Sequence, residues 1–197
     1  MIEITDKKIV GHVLIKDKTT NEVLVDKFNA INYENFSISL ARTLANRTDS
    51  WIQEMVFGNG AATVSGTGTI TYLPPNVIGI GAQLYNQTYS KIVDNTSALD
   101  LDPARNYIQI RHTPGTIYTD VFVSCLLDYA EPAGQESFDN SSTMQGQYVF
   151  DELGLISESG KLLTHVIFHP VQKALNRLIQ VDYTIRIQTL TNLSTSL

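Results

Sequence analysis

An unbroken alternation near the end of the chain is its strongest constraint. Over residues 178–188, Ile179, Val181, Tyr183, Ile185 and Ile187 fall on one face, and Gln180, Asp182, Thr184, Arg186 and Gln188 on the other. Side chains that alternate with period two describe a strand packed on one side and wet on the other. Just upstream, two apolar runs at 148–156 and 161–169 flank the polar sequence Ser157-Glu158-Ser159-Gly160. A polar turn ending in Gly between such runs predicts a β-hairpin. No catalytic group organises this region.

The rest of the chain reads in the same way. Residues 8–16 and 22–26 flank the turn Asp17-Lys18-Thr19-Thr20-Asn21, predicting an N-terminal hairpin. Asn32 is placed to cap a helix over about 33–46, whose stripe Phe36, Leu40, Ala41 and Leu44 is expected to lie on the sheet. A strand at 51–57 is followed by Gly58-Asn59-Gly60 and a Gly/Ser/Thr-rich loop at 61–71, which Pro74-Pro75 terminates. Residues 85–93 fit a strand or a short helix. Next come a polar loop at 94–103, a strand at 106–112 with Ile108 and Ile110 inward, and a turn at Pro114-Gly115. A long strand at 117–129 and a long polar connection at 130–147 complete the pattern. The expected fold is mainly β: a β-sandwich or jelly-roll-like antiparallel domain with one N-terminal helix and long polar loops. The expected organisation is an N-terminal β-hairpin arm at 1–28, the sandwich at 29–190 and a C-terminal tail at 191–197.

Of 197 residues, 43% are hydrophobic and only 17% charged, so a core can form while neutral hydrogen-bonding groups take over much of the surface. Such a surface suits contact between subunits, because few charges need desolvating. The net charge of −6 and the absence of a basic stripe argue against direct nucleic-acid binding. The single cysteine, Cys125, lies in an apolar run and reads as a buried small hydrophobe. Met1 to Asp6 show no signal-peptide pattern, and no apolar run reaches eighteen residues; no membrane partner is expected.

The elements Asp151-Glu152-Leu153-Gly154-Leu155, Ser159-Gly160-Lys161-Leu162-Leu163, Pro170-Val171-Gln172-Lys173 and the alternating strand after Gln180 form a recognisable module. It resembles the C-terminal half of many tailed-bacteriophage virion proteins of tails, collars and fibre attachments. Met55-Val56-Phe57-Gly58-Asn59-Gly60 resembles the glycine-marked loop near the front of the same proteins. The resemblance spans residues 29–188 and leaves out the N-terminal hairpin. It implies a structural subunit assembling into a symmetric ring or sleeve, and it supplies no catalytic residues.

The candidates for chemistry are few. His165 and His169 stand four apart on one strand face, about 13 Å apart along an extended chain, too far to share a metal; a partly buried position and an exposed strand end are expected instead. His12 and His112 have no neighbours that make a site. Asp94, Asp100 and Asp102 gather oxygen ligands on one loop, but the calcium-hand spacing is absent. Gly58-Asn59-Gly60 and Gly66-Thr67-Gly68 lack the Lys and helix of a phosphate loop, and are expected to serve positive backbone angles. Asp151 and Glu152 are adjacent, so a strand would point them to opposite faces, unsuited to an acid/base pair.

These readings lead to the expectation of a non-enzymatic structural subunit of a tailed-phage virion, in the neck, collar or tail, found in the virion after synthesis in the host bacterial cytoplasm. Its expected partners are copies of itself and other virion proteins, with no direct nucleic acid, membrane, small-molecule substrate, cofactor or metal. The alternative is a capsid-decorating or host-glycan/receptor-binding module, with Tyr72, Tyr85, Tyr89, Tyr107 and Tyr118 forming a sugar platform.

Overall fold

The computed structural model describes residues 7–129, 131–132, 149–174 and 176–189. Among them, strands β1 (Lys7–Asp17), β2 (Val23–Ile31), β3 (Ile52–Gly58), β4 (Ala62–Val64), β5 (Ile70–Tyr72), β6 (Gln87–Ile92), β7 (Tyr107–Arg111), β8 (Tyr118–Leu127), β9 (Val149–Ser157), β10 (Leu162–Gln172) and β11 (Ile179–Thr189) surround one helix, α1 (Tyr33–Leu44). The protein is mainly β, as the sequence predicts. Nine of these strands form one curled antiparallel sheet in the order β6-β3-β9-β10-β2-β1-β11-β8-β7; β4 and β5 form a separate hairpin.

The curl has a local cause. The half β6-β3-β9-β10 meets the half β2-β1-β11-β8-β7 through only two residue pairs, Thr164 with Ile31 and His165 with Ala30. A joint that narrow lets the halves fold over each other and bury a shared core. Met55, Phe57, Leu153, Leu155 and Phe168 from one half pack with Val13, Ile15, Val123, Val181, Tyr183 and Ile185 from the other. The alternation of β11 is read correctly: Ile179, Val181, Tyr183 and Ile185 are all buried. The β9–β10 hairpin also forms, with Gly160 at φ 73° in its turn, a conformation that glycine adopts without steric cost.

Five expectations need correction. The N-terminal hairpin, set apart as an arm at 1–28, lies within the sheet: β2 pairs with β10 and β1 with β11. The three C-terminal strands are consequently not neighbours in space, since β2 and β1 separate β10 from β11. Asn32 does cap α1, its side chain accepting the Asn35 N–H at 3.1 Å. The helix nevertheless buries only its first turn; Phe36 is buried, Ala41 is exposed and Leu44 is 80% exposed. Finally, Ile110 is 73% exposed rather than inward, and the loop at 61–71 contains the β4–β5 hairpin. Pro170 stays inside β10 because the register shifts between Ile167 and Val171, an irregularity of the kind that accommodates proline in a sheet. The C-terminal tail and most of the connection at 130–147 lie outside the described residues.

The outer face of β3, β9 and β10 is also covered. Val56, Leu162, Ala82 and Leu84 form a second small core that docks the segment 79–86. Gly154 on β9 permits this close packing, since a Cβ there would sit 2.5 Å from the Thr164 carbonyl oxygen and 2.7 Å from Leu162 Cδ1. Gly154→Ala is expected to lower stability by about 2–3 kcal/mol, read as a drop in the thermal midpoint of about 4–10 °C.

Candidate functional site

Two features distinguish this molecule from a plain β scaffold: a buried pair of carboxylates that anchors loops, and an open apolar cleft where the two ends of the sheet approach. The carboxylates come from β9. Glu152 has no solvent exposure, and Asp151 is 3% exposed. Glu152 Oε1 accepts the Gly60 N–H at 3.1 Å and the Asn86 N–H at 2.8 Å; Oε2 accepts the Tyr85 N–H at 2.9 Å and faces His165 Nε2 at 2.9 Å. His165, also fully buried, accepts the Asn76 N–H on Nδ1 at 2.8 Å. Its ring proton therefore sits on Nε2 and is donated to Glu152. Asp151 accepts the Ala61 N–H at 3.1 Å and the Ala62 N–H at 2.9 Å. Together these bonds fix the base of the β4–β5 hairpin and both ends of the 76–86 segment.

Electrostatics divides the two acids. Burial alone would raise Glu152, but the His165 imidazole and the N–H groups of Asn86, Tyr85 and Gly60 outweigh it and hold the carboxyl below its ordinary range. Burial pushes Asp151 above its ordinary range, aided by the neighbouring Glu152 charge and opposed by the N–H groups of Ala61 and Ala62. Every oxygen is engaged with backbone or His165, so the pair serves as a structural clamp. Adjacent acids in an apolar strand were the available sequence signal, because carboxylates are almost never fully buried without partners.

The cleft has a volume of about 580 Å³. Phe36 and Leu40 of α1, Ile108 and Ile110 of β7, Trp51 with Ile52, and Val121 and Ile187 line it. Among the described residues Asp94 is its one charged lining residue, and Asp94 Oδ1 is occupied by the Thr96 N–H and hydroxyl at 2.9 and 2.6 Å. A second apolar groove, of about 640 Å³, lies beside the start of α1 and includes Phe28, Tyr33 and Ile78. Phe28 is 73% and Ile78 90% exposed.

The remaining candidates fall elsewhere. His169 is exposed and its Nδ1 meets the Tyr72 hydroxyl at 3.1 Å, whereas His165 is fully rather than partly buried. His12 contacts Asp26, and His112 lies against Tyr118 and Thr119. Asp100 accepts the Asp102 N–H and Asp102 pairs with Arg105; among the described residues no group of three His, Cys, Asp or Glu is placed to hold a metal ion. Gly58 and Gly60 serve close approach rather than positive φ, since a Cβ on either would lie within 2.7 Å of Asn86 backbone; Gly68 does take φ 81°. Cys125 is buried, and burial pushes its thiol up to about 12. The tyrosines form no single platform: Tyr89 packs on Phe57, Tyr107 on Phe122, and Tyr118 beneath Arg186.

No protein-family model, curated protein or solved structure matches this chain.

Glu152→Gln should be costly despite its near-identical shape. Its amide nitrogen would face donors, while Nδ1 of His165 is already committed to Asn76. We expect a loss of about 2–4 kcal/mol, with faster amide exchange at Gly60, Tyr85 and Asn86. A depressed carboxyl stabilises the fold above its unfolded value, about 4.3, and that contribution fades as pH falls through the folded value. Asp151 behaves oppositely, contributing most at acid pH and losing that contribution as pH rises through its raised folded value. The stability gap between the native protein and Glu152→Gln should be full at neutral pH and narrow below about pH 4, as chemical denaturation across pH would read.

Proposed function

We propose that this chain is a non-enzymatic structural subunit of a tailed-phage virion, placed in the neck, collar or tail, which assembles with copies of itself into a ring or sleeve. The observation that carries the assembly reading is the pair of unlike apolar surfaces, the cleft bordered by Leu40 and Ile110 and the groove beside Phe28 and Ile78. Contiguous exposed apolar surface on a folded chain marks an interaction site. A closed ring built from one chain needs two different patches, one for each neighbour. The low charge supports close contact between subunits, and the resemblance of the 151–187 elements to tailed-phage virion proteins supports the setting.

Light scattering and negative-stain microscopy of the purified chain are expected to show a defined oligomer, and mass spectrometry to find the chain in particles. A strict monomer absent from virions would overturn the reading. Ile78→Asp is expected to weaken self-association about tenfold or more while leaving the unfolding midpoint nearly unchanged, since Ile78 is almost fully exposed.

A further inference from the structure

We infer that the β4–β5 hairpin of one copy adds to the outer edge of β7, which pairs with no further strand among the described residues, in the next, roofing the apolar cleft and joining subunits head to tail. This rests on the assembly reading above and gives the cleft its partner; the groove beside Phe28 and Ile78 would add a weaker second contact. The acceptor is a sheet edge. Ile108 N–H donates to Asn95 Oδ1 at 3.0 Å rather than to β8. In an antiparallel ladder the residue two positions on repeats that orientation, so Ile110 also turns its N–H and C=O outward. The Asn95 amide oxygen therefore stands where a strand's carbonyl would bind. Ile108 and Ile110 line the cleft below, so an added strand would continue the sheet across its mouth.

The donor matches in chemistry and position. The hairpin is a separate two-stranded sheet, paired to itself and not to the main one. Residues 61–76 contain no charged side chain, as suits a cleft in which, among the described residues, Asp94 alone is charged. Val64 and Tyr72 are exposed on it. Its base is held rigidly by Asp151 and Glu152 through Ala61, Ala62 and Gly60, so the strands are presented with little ordering left to do. The hairpin follows the last residue of β3, whereas Ile52, the first, borders the cleft. Seven strand residues put about 20 Å between them, so donor and acceptor face different neighbours.

The test uses two full-length variants. Ile110→Pro removes the outward N–H while sparing the bonds to β8, and Val64→Asp charges the hairpin. Each alone is expected to associate about 30-fold more weakly than the native chain. Mixed, the first offers an intact hairpin and the second an intact edge, so the mixture should form a 1:1 dimer and stop there. Asn95→Ala frees the Ile108 N–H and should tighten association about 3-fold or more; it also keeps the proposal testable if the proline variant fails to fold. Exchange of the Ile108 and Ile110 amides should slow as the native chain associates. A native oligomer unaffected by these variants, or a mixture yielding no dimer, would overturn the hairpin contact while leaving self-assembly standing; a native chain that stays monomeric at all concentrations would overturn both.

Discussion

The clamp formed by Asp151, Glu152 and His165 sets the architecture outside the core. Five backbone N–H groups from two segments converge on two carboxylates, and His165 takes a sixth. Besides it, the hairpin base and the 76–86 segment are held by the apolar contact of Ala82 and Leu84 and by a few hydrogen bonds, among them Asn32 Nδ2 to the Gly79 carbonyl and the Asn59 N–H to the Asn86 carbonyl. Burying an ionised carboxylate is unfavourable unless its oxygens find donors, and β9 brings these oxygens against chain ends that carry donors in need of acceptors. The sheet and its loops therefore satisfy each other.

That arrangement separates order from function. The two halves of the curled sheet keep the main core dry, and the charged groups of the clamp are turned inward to the backbone. Much of what faces solvent beside these elements is apolar: Ile110 at the cleft, Leu44 at the end of α1, and Phe28 and Ile78 at the second groove. A chain with 17% charged residues can offer such surfaces because little charge has to be stripped of water when they are covered. The geometry fits a protein whose activity is contact between subunits, with glycines at 58, 60 and 154 chosen for the space that a side chain would take.

Strand identity was readable where burial is one-sided and local. The alternation of β11, the turn at 157–160 and the Asn32 cap each depend on neighbours in sequence, and each appears in the structure. The C-terminal half of α1 misled, because an apolar stripe reports that a face can be buried and not that anything lies opposite. Ile110 misled for the same reason: its alternation is real, but its strand is the last in the sheet. The carboxylate clamp was invisible as a clamp, since its partners at 60–62 and 76–86 lie far away along the chain.

Local chemistry thus dictated a mainly β chain with a capped helix, tight glycine turns and a neutral exterior, since period, capping and turn preference act within a few residues. Strand order was settled in three dimensions: the N-terminal hairpin entered between β10 and β11 because those edges had unmet backbone groups that only a long-range pairing could supply. Among the described residues, the same long-range closure left β7 without an outer strand and the cleft beside it uncovered. A period-two pattern specifies which side chains share a face, but which strand lies alongside is a matter of tertiary contact.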